Sequence, residues 1–255
     1  MKARVILFLG FLGLSLTLAG QQSTKKSAQA TVKDIDPLAL QVLKAATDPI
    51  RDAKDYSFRA LVSREHPGSD GQVITLFNLS NITVERPDKI HVDFRGHGKD
   101  VNLFCDGGQC TLYAPSERLY ASVTVPNTID GMLDALQKKD VFIPTQNFLE
   151  SDPYKSLTDD LTTGYVVGRV MLFDQEVHQL AFTEPDAEWQ LWVIGGDHPT
   201  IRRLEVIDKT KPDRPRIVVD FLDWDFDAKP TPDLFTFKKP ADAKEIQVLK
   251  ESAKE

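Results

Sequence analysis

Residue types able to do acid–base, metal or thiol chemistry are scattered thinly through this 255-residue chain. The five histidines, His66, His91, His97, His178 and His198, include no pair at the one-turn spacing of a metal-binding helix. His178, in an apolar run with Val177 and Leu180, is the one whose surroundings matter most; elsewhere an ordinary histidine is the simpler reading. The densest acidic cluster, Asp223-Trp224-Asp225-Phe226-Asp227, begins like a calcium loop. Its glycine position holds Ala228, however, and its bidentate-glutamate position holds Leu234. Alternation reads instead as a strand with Leu222, Trp224 and Phe226 inside and the aspartates in water. Neither a nucleophile elbow, an H-E-x-x-H helix nor a phosphate-binding glycine loop is present. Gly96-His97-Gly98 lacks a third glycine and reads as a hairpin turn. Asn78-Leu79-Ser80 and Asn81-Ile82-Thr83 match glycosylation acceptors, tripeptides that are common by chance. The sequence therefore assigns no catalytic residue, no metal ligand and no cofactor.

The remaining reactive pair is Cys105 and Cys110. A two-residue Gly107-Gly108 loop would place them opposite each other on a non-hydrogen-bonded hairpin pair, close enough for a disulfide. Two reduced buried thiols or a redox pair are the alternatives. The disulfide is favoured by the start of the chain: Lys2 and Arg4, an uncharged run from Val5 to Leu18, then Ala19 and Gly20. That order is the mark of a secretory signal peptide, and the run is shorter than the roughly 20 residues of a membrane span. Residues 1–20 are thus expected to be removed on export, with 21–35 a flexible lead-in, so that the protein is periplasmic or secreted. Oxidising compartments favour disulfides. A formal net charge of -7, with no basic stripe, argues against nucleic acid as a partner.

The elements that must position these residues follow from periodicity. Asp36-Pro37 opens a helix to about Lys54, with Leu38, Val42, Leu43, Ala46 and Ile50 at helical spacing. The period then switches to two. Six short strands, from Tyr56 through Val125, form a meander with tight turns. Ile129, Met132, Leu133 and Leu136 mark a second helix, and Phe142 to Leu149 and Tyr154 to Leu161 give shorter helical pieces broken by Pro144 and Pro153. Five more strands run from Gly164 to Phe226, and Ile246 and Val248 are candidates for a short edge strand. The fold class is mainly β (α+β): one curved antiparallel half-barrel sheet of about eleven strands over residues 36–248, with helices covering the concave face. A charged tail of 249–255 follows. Such a covered face is a natural place for an apolar cavity. Aromatics crowd both halves: Trp189, Trp192, Phe221, Trp224, Phe226, Phe235 and Phe237 with the C-terminal strands, and Phe58, Phe77, Phe94 and Phe104 with the N-terminal ones. Core or cavity wall would use the same side chains.

The order of Arg86-Pro87-Asp88-Lys89-Ile90, Phe104-Cys105-Asp106-Gly107, Thr111-Leu112-Tyr113-Ala114-Pro115, Thr128-Ile129-Asp130-Gly131-Met132, Ser151-Asp152-Pro153-Tyr154, Trp189-Gln190-Leu191-Trp192 and Leu222-Asp223-Trp224 resembles the DUF2092 family of predicted periplasmic proteins over about residues 36 to 245. The resemblance implies kinship with LolA-type and LppX-like carriers, whose half-barrel closes over an apolar cavity. It supplies no catalytic residue, and the cysteine pair lies outside the family pattern. The expected function is a carrier or chaperone for a lipid, a lipoprotein acyl chain or another hydrophobic ligand, with no stable membrane span in the mature chain. The helix around Met132, Leu133 and Leu136 and the segment from Phe142 to Leu149 would form the lid, and Phe94, Trp192 and Trp224 the wall. A cell-envelope protein-interaction module is the alternative, and an exported hydrolase has less support.

Overall fold

The structure, a computed structural model, describes residues 34–97, 99–139, 141 and 143–247. The expected signal peptide (1–20), Phe142, Val248 and the 249–255 tail lie outside the described residues.

Alternating burial builds the N-terminal meander. It comprises β2 (Asp55–Pro67), β3 (Val73–Glu85), β4 (Lys89–Gly96), β5 (Lys99–Asp106), β6 (Gln109–Ala114) and β7 (Leu119–Thr124). The C-terminal meander comprises β8 (Thr163–Leu172), β9 (Gln175–Thr183), β10 (Ala187–Ile194), β11 (Thr200–Asp208) and β12 (Arg216–Asp225). Antiparallel pairing of β12 with β2 joins the two meanders into one sheet. Two-residue strands β1 (Asp34–Ile35) and β13 (Lys244–Glu245) pair in parallel with β8 and β7, so the sheet has 13 strands and is mixed at its edges. The eleven long strands are antiparallel throughout, as expected, and the two short edge strands are added to them. A two-residue strand has no period to read; it exists only through its neighbour. Asp34 and Ile35 thus belong to the sheet rather than to a flexible lead-in.

Among the described residues, four α-helices link or cover the meanders: α1 (Pro37–Asp52), α2 (Ile129–Gln137), α3 (Gln146–Leu149) and α4 (Pro153–Thr158). The Asp36 carboxylate accepts from the Leu38 N–H and caps α1, whose Ala39, Leu43, Ala46 and Ile50 are buried. They share one core with Tyr56, Phe58, Ala60 and Val62, the alternate residues of β2, which fixes the helix-covered face of the sheet. Arg86 ties this layer together. Its Nη2 donates to the carbonyls of Ile50 and Glu150, near the ends of α1 and α3, and its guanidinium lies 5.6 Å from the Tyr56 ring. The Tyr56 hydroxyl in turn donates to the Phe148 carbonyl at 3.0 Å. Burial holds that phenol well above its usual ionisation range.

The opposite face carries a second aromatic cluster. Phe237 packs on Phe104, Tyr113 and Tyr120 at ring distances of 5.6, 5.3 and 5.1 Å, and His91 lies 5.0 Å from Phe104. Burial lowers the His91 pKa, with Asp93 opposing. The C-terminal segment therefore returns to the N-terminal meander, where its 3-10 turn, Pro232–Phe235, meets β4 and β5. Phe235 and Phe237 do not join the C-terminal strands, because a chain that leaves β12 can cross the sheet without leaving a periodic signal.

Candidate functional site

The β2–β3 and β3–β4 registers put Ala60, Ser80 and Phe94 in one row across the helix-covered face, with Val62 and Asn78 in the next. The β4–β5 and β5–β6 registers extend the wall through Val101 beside Phe94, and through Leu103 between Val92 and Leu112. Gly96 lies opposite Asn78, where a Cβ would come 2.4 Å from the Asn78 Cβ; only glycine permits this approach. On the far side, Ile217 of β12 pairs with Arg64.

Val62, Arg64, Asn78, Ser80, Val92, Phe94, Val101, Leu103, Leu112 and Ile217 surround a cavity of about 340 Å³, roofed by Val141, Ile143 and Pro144. The volume is at the lower end of the roughly 300–1,000 Å³ typical of small-molecule sites. The roof is the link between α2 and α3. At one end the Val141 N–H donates to the Leu136 carbonyl at 3.1 Å, and at the other the Gln146 N–H donates to the Ile143 carbonyl at 3.0 Å. Thr128 caps α2 through the Gly131 N–H, so the helix that leads into the roof begins at a fixed point.

The lining is apolar apart from Arg64, Asn78 and Ser80. Asn78 Nδ2 is buried with no hydrogen-bond partner. Leaving such a donor unpaired costs about 1–3 kcal/mol. An amide held inside the wall is also not presented as a glycosylated side chain must be. Arg64 is exposed at the rim. Among the described residues it is the one arginine for which no carboxylate, carbonyl or ring partner is found.

Of the residues expected to line a cavity, Phe94 does so. Met132, Leu133 and Leu136 are fully buried in the main core, beneath the helix rather than in the cavity wall. The roof is the loop that follows them. Trp192 is a correction: Trp189, Leu191 and Val193 point into the core, so Trp192 falls on the opposite face. Trp189 takes the inner place, stacked on Phe182 at 4.3 Å. Trp224 packs inward but fills its space, stacking on Phe58 at 4.4 Å and donating from Nε1 to the Ile201 carbonyl. Leu222 is outward, against the alternation read from sequence, because the strand slips register between Leu222 and Asp225. Phe77 is exposed on the β2–β3 ribbon. His178 sits beside Gly195, and among the described residues no group of three or more His, Cys, Asp or Glu could hold a metal ion. Sequence reasoning passed over Arg64, Asn78 and Ser80; the signal available was a polar residue at each even position where the β2 and β3 pattern calls for an apolar one.

The thiols are joined. Cys105 and Cys110 form a disulfide with Cα atoms 4.2 Å apart, across a turn in which Gly107 and Gly108 both have positive φ.

Residues 39–249 match the family described as "Predicted periplasmic protein (DUF2092)", and the chain belongs to that family. No curated protein matches the chain. Among solved structures it is similar to LprF from Mycobacterium bovis, at 11% identity and a TM-score of 0.45, covering 82% of this chain and 99% of that one. It is similar to the lipoprotein LppX from Mycobacterium tuberculosis at 10% identity and a TM-score of 0.43, covering 77% and 98%. For a LolA superfamily protein from Nitrosomonas europaea the values are 12% and 0.34, covering 78% and 97%. No helix among the described residues is long and apolar enough to cross a membrane.

Proposed function

We propose that the protein is an exported periplasmic carrier or chaperone that holds a lipid, a lipoprotein acyl chain or another hydrophobic ligand between the sheet and the α2–α3 link. The observation that carries this reading is the cavity. Around α1 and α3 the same face is filled by Tyr56, Phe58, Phe148 and Phe221, yet between Val62 and Leu112 an apolar wall borders a cavity that no helix residue lines. Each methylene buried there is worth about 0.8 kcal/mol, so part of one acyl chain suffices for useful affinity without covalent chemistry. The lining offers one cation, one amide and one hydroxyl but no acid–base pair, which favours binding over catalysis. Native mass spectrometry of gently purified protein, followed by solvent extraction, tests the reading. An extractable apolar molecule is expected; protein that is purified empty and ignores lipid probes would overturn it.

A second reading, an envelope interaction module, is favoured by one observation. Tyr165, Val167, Met171 and Phe173 are exposed at or just beyond β8, a strand whose outer edge is covered by β1 only at Thr163 and Gly164.

A further inference from the structure

We infer that the ligand is an amphiphile with an anionic head, a carboxylate or phosphate that is received by Arg64 and Asn78 while its chain lies along Val92, Val101, Leu103 and Leu112. The inference rests on the carrier reading and adds the chemistry of the ligand's polar end.

Three observations converge on it. Among the described residues, Arg64 is the arginine left over. Asp48 and Asp52, Asp223, Asp93, Asp242, Glu176, Asp220, Glu188 and Glu205 each hold another arginine, and Arg86 serves two carbonyls. An acidic chain that gives each of its other described arginines a carboxylate or carbonyl partner and leaves one bare at the rim of an apolar cavity has a cation available for an incoming anion. Asn78 supplies the second donor. It faces Val62 across the strand pair, which makes it the diagonal neighbour of Arg64 on the same face, about 7–8 Å away. From that backbone separation the two side chains can converge on one head group, each donating to one of its oxygens. Its Nδ2 is enclosed and unpaired in the protein alone, and rotation of the amide toward the cavity that Asn78 lines would let a bound oxygen pair with it. Finally, the polarity is one-sided. The polar side chains stand on β2 and β3, whereas the β5 and β6 part of the wall is wholly apolar. A uniformly apolar ligand would gain nothing from that division, and a free anion nothing from the apolar half.

The test compares three probes sharing one fluorescent sixteen-carbon chain: the fatty acid, its methyl ester, and the lysophosphatidic acid. The full chain, Arg64→Gln and Asn78→Asp are titrated, with melting curves to establish that both variants fold. The wild type is expected to bind at least one of the two anions about tenfold more tightly than the ester. Arg64→Gln should remove that preference without weakening the ester, and Asn78→Asp should reverse it. Preference for the fatty acid alone identifies a carboxylate head, and preference for the lysophosphatidic acid identifies a phosphate head. Equal affinity for all three probes, or equal weakening of all three by Arg64→Gln, overturns the head-group assignment while leaving the carrier reading intact. Failure of the wild type to bind any probe overturns both.

Discussion

Phe221 and Trp224 stand three residues apart at the end of one strand, yet their rings stack on the same side of the sheet, 5.6 Å apart and 16° from parallel. Strict alternation forbids this. The relation is made by Asp223, whose φ of 52° inserts a bulge where the β12–β2 register slips between Leu222 and Asp225. Phe58 lies within reach of both rings, at 5.6 and 4.4 Å, so the bulge turns one strand end into an aromatic plug that fills this part of the helix-covered face. Arg59 holds the Asp223 carboxylate on the other side.

Substitution at Asp223 should follow backbone conformation more than charge. Asp223→Val puts a β-branched residue at positive φ and is expected to cost about 1–2 kcal/mol. Asp223→Asn tolerates that φ and loses only a half-exposed ion pair, about 0.2–1 kcal/mol. Denaturant unfolding of both variants gives the comparison. Equal losses would mean that the bulge is not what the aspartate provides.

The hairpin disulfide should be a stabilising bond without a redox role. Both cysteines are fully buried and close a short loop, which in the chain-entropy description is worth roughly 2 kcal/mol. The double variant Cys105→Ala/Cys110→Ala is expected to unfold at correspondingly lower denaturant while keeping its ligand affinity. Thiol titration in denaturant without reductant should find no free thiol; two would contradict the bond.

Two side chains should give opposite pH signatures. Burial raises the Glu184 pKa, against a 2.7 Å hydrogen bond donated by Trp189 Nε1. A carboxyl whose folded pKa is raised contributes stability below its ordinary value of 4.5, and that contribution is lost as pH climbs through the folded value. Glu184→Gln should therefore gain on the wild type between pH 4 and pH 7. His91 runs the other way. With its folded pKa lowered by burial, it stabilises above 6.5 and that stability is lost as pH falls, so His91→Phe should gain on the wild type below that value. Melting temperatures across pH 4–8 check both signs; differences that stay constant with pH would contradict them.

Much of the fold was legible because its long elements repeat a period. Leu43, Ala46 and Ile50 announce α1, although Leu38, read on the same face, is exposed, and Tyr56, Phe58, Ala60 and Val62 announce β2 and its inner face. Cys105-Asp106-Gly107-Gly108-Gln109-Cys110 announces the hairpin and its bond. What stayed hidden depends on contacts that no local pattern encodes. In β10 both faces carry large apolar side chains, Trp189 and Leu191 on one and Trp192 and Ile194 on the other, so alternation alone does not say which is inside. The slip at Asp223 reverses parity without a glycine to mark it. The cavity is hidden for a different reason. Its wall residues are indistinguishable in sequence from core, and space remains where α2 has ended at Gln137 and Val141, Ile143 and Pro144 stand over the wall in place of a helix.

Occupation of that space is the central claim, and one titration tests it most directly. Neutral methyl esters of ten-, twelve- and fourteen-carbon fatty acids are measured against wild-type protein and Val101→Trp, a substitution that places an indole in the cavity wall. At about 0.8 kcal/mol per methylene, affinity should rise about fourfold for each carbon added until the cavity is full. Val101→Trp should fold, bind weakly and flatten the series. Affinity that ignores chain length, or that survives Val101→Trp unchanged, would contradict a ligand held between the sheet and the α2–α3 link.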